Sequence, residues 1–288
     1  MYADDLQIYT QSSLEDLSKS VDTINADLTC ISNWSGMSKR YGLTINPKKT
    51  QAIIIGSSRL IRKIDWSSLP PILLDCTQIP YSNKVKNLGL YLDSCMSWTS
   101  QINEVSRKMF AALSSLRRLR NFLPTVTKVT LAQSLLLPIL DYADICYLDI
   151  TEEQLNKLER IQNLCIRFIF GLRKYDHISE FRKQLKWLPI RLRRNTHILS
   201  TLYSVLFNPS TPHYLKDRFQ YLSLTHNRFL RSSVNLSLST PSHSSSFFKK
   251  SFTVTAVRLW NSLPLHIRRA QSLHSFKCLV KSYYLERY

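Results

Sequence analysis

Asp4 and Asp5 open the sequence, in the setting Met1-Tyr2-Ala3-Asp4-Asp5-Leu6-Gln7-Ile8-Tyr9-Thr10. Like charges this close repel, and burying an isolated carboxylate costs several kcal/mol, so the pair needs water or a cation beside it. Hard divalent ions take oxygen ligands, and in nucleotidyl transfer two of them, roughly 3.5–4 Å apart, clamp the attacking and leaving oxygens. The alternation of Leu6 and Ile8 with polar neighbours predicts a tight turn between two short strands, with both carboxylates pushed out at its end. A solvated turn is the other reading of the same residues.

The next stretch must position that pair. Ser12 and Glu15 have the spacing of a capping box, and Leu14, Leu17, Val21, Ile24, Leu28, Ile31 and Trp34 then recur at helical intervals. Asn46-Pro47 signals a turn that sets Lys48 and Lys49 where the chain re-enters a sheet at Ala52–Ile55. A lysine there can neutralise triphosphate charge or protonate departing pyrophosphate; it can equally be a solvated charge. Residues 57–83 read as a loop with one short strand near Ile72–Leu74, and Lys84–Asp93 as a half-buried strand. Gly89 within it marks a bulge or a close backbone approach.

From Thr99 the period changes to helical. Ile102, Val105, Met109, Leu113, Leu116 and Leu119 form one stripe, while Arg107, Lys108, Arg117, Arg118 and Arg120 form a basic face that Pro124 closes. A second helix is predicted from Thr125 to about Leu148, kinked near Pro138. A third starts at a capping box, Thr151 with Gln154, and stops at Gly171. Tyr142-Ala143-Asp144 repeats the opening triplet, but Ile145 replaces the second Asp, so Asp141 and Asp144 are expected as polar positions on a helix. Residues 172–207 interleave Arg182, Lys183, Lys186, Arg191, Arg193 and Arg194 with Tyr175, Phe181 and Trp187. Basic groups among aromatics suit phosphate contact and base stacking, and the same aromatics, Trp187 above all, suit a core. Pro209, Pro212, Pro241 and the run Ser242–Ser246 predict a linker over about 208–250, before helix returns at the C-terminal end.

The formal charge of +19 is unevenly spread: +1 over residues 1–95, +4 over 96–175 and +14 over 176–288. The last third is therefore the part expected to face a polyanion, through an attraction that fades steeply with salt. Cys30, Cys76, Cys95, Cys146, Cys165 and Cys278 lie far apart without a CxxC pair or a histidine at ligand spacing, which predicts reduced core thiols and no zinc site. No apolar run approaches the roughly 20 residues of a membrane span, and no signal peptide precedes Asp4. An intracellular protein follows as the expectation, with nucleus and cytoplasm left open.

Tyr2-Ala3-Asp4-Asp5, Asn46-Pro47-Lys48-Lys49-Thr50, Leu88-Gly89-Leu90-Tyr91-Leu92-Asp93 with Trp98, and Leu259-Trp260-Asn261-Ser262-Leu263-Pro264 together resemble the reverse transcriptases of non-LTR, LINE-type retrotransposons, in the order that family has them. The resemblance implies an α+β fold: a truncated polymerase palm sheet at 1–95, a helical thumb at 96–171, and a basic, mainly α-helical C-terminal region at 172–288. It implies RNA-directed DNA synthesis on an RNA template and DNA primer, with Mg2+ or Mn2+ held by Asp4 and, more weakly, Asp5. Lys49 takes the catalytic lysine position, Leu88, Gly89, Leu90 and Tyr91 the primer grip, and the basic residues of the thumb and of 182–194 the nucleic-acid contacts. In that family a further palm Asp, the fingers and a Gly-rich nucleotide-binding segment precede the hairpin at which these 288 residues begin. Two divalent ions bring four positive charges, and Asp4 with Asp5 offset at most two. The expectation is therefore a polymerase fragment that does not extend primers by itself and exposes an unpaired sheet edge. The alternatives are a nucleic-acid-binding remnant, a non-functional relic, and, more distantly, a helical scaffold protein.

Overall fold

The structure, a computed structural model, describes residues 6–38, 45–225 and 236–288. It is an α+β chain in which helix dominates, with two small antiparallel sheets among the described residues. The chain divides into two compact units, Met1–Gln101 and Ile102–Tyr288.

In the first unit, helix α1 (Leu17–Ser38) begins one residue away from the predicted cap: the hydroxyl of Ser13, not Ser12, accepts the backbone N–H of Asp16 and donates to its carboxylate. Val21 and Leu28 of α1 pack against Ile72, Leu74 and Ile79 of strands β1 (Ile72–Leu74) and β2 (Thr77–Ile79), while Leu14 and Trp34 stay exposed. The predicted apolar stripe is thus buried only in its middle. β1 pairs with β2 on one side, and Asn25 of α1 serves its other edge, donating to Pro71 O at 2.9 Å and accepting Leu73 N–H at 3.0 Å. A side-chain amide mimics a neighbouring strand there, which is one way to blunt an open edge. Strands were also expected around Leu6–Ile8 and at Ala52–Ile55; the first forms no ladder and the second makes only a bridge from Ala52 to Tyr81.

Strands β3 (Lys84–Asn87) and β4 (Leu90–Asp93) close the unit as a hairpin. Leu88 and Gly89 form its two-residue turn with φ of +45° and +83°, the paired positive values that match the twist of antiparallel strands. Gly89 is therefore a turn residue rather than a bulge. After β4 the Asp93 carboxylate accepts the N–H groups of Cys95 and Ser97 at 3.1 and 2.9 Å, and the chain enters helix α2 (Thr99–Arg118).

In the second unit the predicted 125–148 helix is broken. Helix α3 (Thr125–Leu131) runs into a π-helical turn, Ala132–Leu136, before α4 (Leu137–Asp141). Pro138 has no N–H and its ring crowds the carbonyl a turn earlier, so the widened turn relieves both problems. Ala143, at φ +50°, ends the helical run and a short 3-10 turn at Asp144–Cys146 follows. By length and composition Thr125–Cys146 is long and apolar enough to cross a membrane, contrary to expectation; it also carries Pro138, Asp141 and Asp144, and buries Ala132, Leu136, Leu137 and Leu140. Helix α5 (Glu152–Phe170) has both ends as predicted: Thr151 and Gln154 exchange capping hydrogen bonds, and Gly171 stops it at φ +69°.

After the short helix α6 (Ser179–Gln184), helices α7 (Ile190–Phe207), α8 (Phe252–Ser262) and α9 (Leu273–Glu286) build a core around Leu199, Leu202, Val257, Trp260, Phe276 and Val280. The Leu259–Pro264 segment has a structural role there. Trp260 is fully buried and its indole N–H donates to Leu236 O at 2.8 Å, while Asn261 accepts Leu238 N–H at 2.9 Å and donates to Leu238 O at 2.8 Å. Leu238 is itself fully buried and bridges to Tyr221, so the expected 208–250 linker is pinned to the core within its described part. All six cysteines are free thiols, but only Cys165 is buried, which corrects the expectation of core thiols.

Candidate nucleic-acid interface

Asp4 and Asp5 lie outside the described residues. Gln7, just beyond them, donates from Nε2 to Oδ1 of Asn87 at 2.7 Å, across 80 positions of sequence. Asn87 immediately precedes the Leu88-Gly89 turn, so the segment that follows the Asp pair is tied to the tip of the β3–β4 hairpin. Leu88 is exposed at that tip, Gly89 and Tyr91 are half-buried, and Leu90 is buried, so the four residues named for gripping a primer divide between a surface tip and a packed base. Lys84 places its ammonium 4.1 Å from the centre of the Tyr91 ring, and Lys86 5.9 Å, which lines one face of the hairpin with positive charge. Lys49 is exposed in a turn built by Asn46, whose side chain accepts Lys48 N–H at 3.0 Å and whose carbonyl accepts Lys49 N–H at 3.1 Å.

The cationic residues expected to meet nucleic acid separate into three groups. Arg117, Arg118 and Arg120 are exposed at the C-terminal end of α2, with no carboxylate within 4.0 Å among the described residues. A helix C-terminus favours cations, which accounts for part of their placement. Lys186 is likewise exposed and unpaired. Arg107 and Lys108 share Glu104, Lys183 lies 3.9 Å from Glu180, and Arg191 pairs with Glu152; these are surface pairs that a phosphate can replace cheaply.

Arg182, Arg193 and Arg194 correct the expectation. Arg182 is buried against Glu159 at 2.5 Å and donates to Tyr288 Oη at 3.1 Å. Glu159 also accepts Ile190 N–H at 2.7 Å, capping α7 in place of Pro189, which offers no side-chain cap. Arg193 makes a two-point pair with the Asp141 carboxylate. Arg194 is buried, donates to the carbonyls of Asp144 and Tyr147 at 2.9 and 2.6 Å, and stacks 4.7 Å over the Tyr147 ring. Of the aromatics, Trp187 is core, Phe181 packs 4.7 Å from Phe170, and only Tyr175 is fully open.

Asp141 and Asp144 occupy no simple helix face: with His197 they bring three ligand atoms within 4.8 Å of one another. The donor set does not fit a divalent ion. Asp141 is held by Arg193, Asp144 accepts from His197 Nδ1 at 2.7 Å, and Arg194 sits beside it, so two guanidinium cations already balance the two carboxylates. Burial pushes the Tyr147 hydroxyl up to about 12 and lowers the Arg194 guanidinium from its ordinary value. His197 was not anticipated; its signal was the ladder Arg193, Arg194, His197 opposite Asp141 and Asp144, each at the spacing of one helical turn. Gln7 and Asn261 carried no such signal.

Comparison with protein-family models, with curated proteins and with solved structures finds no match.

Proposed function

We propose that these 288 residues are the part of a retrotransposon RNA-directed DNA polymerase that runs from the catalytic hairpin through the primer grip and thumb, and that their activity in isolation is to hold an RNA/DNA duplex. The observation that carries this reading is the Gln7–Asn87 hydrogen bond: it ties the segment after Asp4-Asp5 to the Leu88-Gly89 hairpin, the two motifs that a polymerase must bring to one primer end. Arg117, Arg118 and Arg120, without a carboxylate partner among the described residues, support the second half, since such cations keep their charge for phosphates.

Mg2+ or Mn2+, if held, goes to Asp4 and Asp5, where it stabilises charge on the attacking and leaving oxygens. The Asp141–Asp144–His197 cluster is not its site. Lys49, exposed in its turn, is the residue we assign to triphosphate charge.

Primer extension on a primed RNA template with Mg2+ and deoxynucleotides tests the reading alongside fluorescence-anisotropy binding of the same duplex. The expected result is binding that weakens steeply as salt rises, with no extension above that of Asp4→Ala. Extension that Asp4→Ala abolishes would overturn the inactivity of the isolated chain. Absence of salt-dependent duplex binding would overturn the duplex-holding role.

A further inference from the structure

In the helical unit a cavity of about 300 Å3 opens between the turn after α6, helix α7, helix α9 and the π turn with α4. Leu137 and Leu185 supply apolar wall, and Lys186, Arg193, Thr196 and Lys281 supply polar lining. Asp141 occupies Nε and Nη2 of Arg193, which leaves Nη1 outside that pair. Lys186 and Lys281 are exposed and, among the described residues, have no carboxylate within 4.0 Å. Arg193 and His197 in the lining are already met by Asp141 and Asp144, so the open positive charge of the cavity is that of Lys186 and Lys281.

Lys186 adds an independent sign. It sits at φ +53° just past α6, where its N–H bonds Lys183 O at 2.9 Å and Trp187 N–H bonds Arg182 O at 3.1 Å. This is the helix-ending motif whose left-handed position glycine fills without strain. A lysine held there, at the mouth of a cavity, carries a backbone strain that glycine would relieve.

We propose that this cavity binds a phosphomonoester carried on a small apolar or aromatic body. Lys186 and Lys281 face the phosphate, and Leu137 and Leu185 face the body. Two unpaired ammonium groups match a dianion better than the single charge of an internucleotide phosphate, and a space at the lower end of small-ligand pockets excludes a duplex. The inference rests on neither the hairpin nor the end of α2, although Lys186 is also among the cations expected to meet nucleic acid.

Isothermal titration with phenyl phosphate, inorganic phosphate and phenol at constant ionic strength tests it. Phenyl phosphate is expected to bind below about 1 mM, inorganic phosphate about tenfold more weakly, and phenol not at all. Lys186→Gly is expected to weaken phenyl phosphate about tenfold or more while leaving Tm unchanged or a degree or two higher, because the strain is relieved. Lys281→Gln should weaken it similarly without a change in Tm. Affinity unchanged in both variants, equal binding of phenol, or no binding at all would overturn the proposal. A 5′-phosphorylated dinucleotide that binds as phenyl phosphate does would name a nucleic-acid end as the source; one that does not would name a free small molecule.

Discussion

Arg117, Arg118 and Arg120 at the end of α2 and Arg182, Arg193 and Arg194 around α6 and α7 are the same residue type in equally basic sequence, yet they do opposite things. The first three are exposed and, among the described residues, have no carboxylate within 4.0 Å. The second three are turned inward onto Glu159, Asp141 and the carbonyls of Asp144 and Tyr147. A cation that has already replaced its water with protein oxygens gains little by meeting a phosphate, whereas one still hydrated exchanges counterions for the polyanion directly. The +14 of the last third therefore overstates the charge it leaves open to a polyanion, and the +4 of the middle third hides three exposed arginines clustered at one helix end.

The comparison is broken most forcefully at Arg194. Arg194→Leu removes two hydrogen bonds to buried carbonyls and a counter-charge beside Asp144, and should destabilise the helical unit by about 3–5 kcal/mol. Urea unfolding of that variant checks it. A loss under about 1 kcal/mol would mean that the guanidinium is not structural, and duplex affinity of the folded fraction should be unchanged. Arg118→Leu, by contrast, should leave stability within about 0.5 kcal/mol.

High pH probes the same buried cluster. The Tyr147 hydroxyl beneath Arg194 and that of Tyr284 in the core are both pushed up to about 12 by burial. The unfolded tyrosine titrates near 10, so the unfolded state loses its protons first and stability falls as pH rises. The contribution is fully present below about pH 10 and is lost progressively between about 10 and 12, at up to about 2–3 kcal/mol per residue. Tyr147→Phe should flatten that alkaline decline when unfolding is followed from pH 9 upward.

These inward arginines also mark where the sequence ran out of information. Thr151, Gln154 and Gly171 could be read because caps and stops are local: each satisfies orphan backbone groups within one turn. The β3–β4 hairpin was half legible, since Gly89 signalled an irregularity but only strand pairing distinguishes a turn from a bulge. Arg194 and Asp144 meet across 50 positions, and Gln7 and Asn87 across 80, so nothing in either neighbourhood announces the partner. The same holds for Asn261, whose amide captures both backbone groups of Leu238 and turns a Ser- and Pro-rich stretch into packed structure. Asp4 and Asp5 remain a reading of residue type and order alone, whereas the outward arginines rest on exposure and on the lack of a carboxylate among the described residues.

The outward group is sharpened by replacing it together. Arg117→Gln, Arg118→Gln and Arg120→Gln combined should lower duplex affinity about tenfold or more at about 50 mM salt, and should reduce the slope of log affinity against log salt by about two to three. Thermal melting should move by no more than a few degrees, since no described carboxylate loses a partner. An unchanged slope would remove the end of α2 from the interface and leave the β3–β4 hairpin lysines, the paired Arg107 and Lys108, and the C-terminal third as its candidates.

Arg191 lies between the two classes: it is more than half exposed at 57%, but paired with Glu152, itself exposed at 74%. Exposed pairs hold two long side chains in one geometry for little Coulomb gain in water, so a double-mutant cycle of Arg191→Gln and Glu152→Gln should return a coupling of about 0.2–1 kcal/mol. If Arg191 behaves as an outward residue, Glu152→Gln should tighten duplex binding slightly by releasing it, and Arg191→Gln should weaken binding by less than the α2 triple. If it behaves as an inward one, Glu152→Gln leaves affinity untouched and the coupling exceeds about 1 kcal/mol. The sign of the Glu152→Gln effect on affinity thus sorts Arg191 into one class or the other, because only a solvent-facing cation has a phosphate to gain when its carboxylate is taken away.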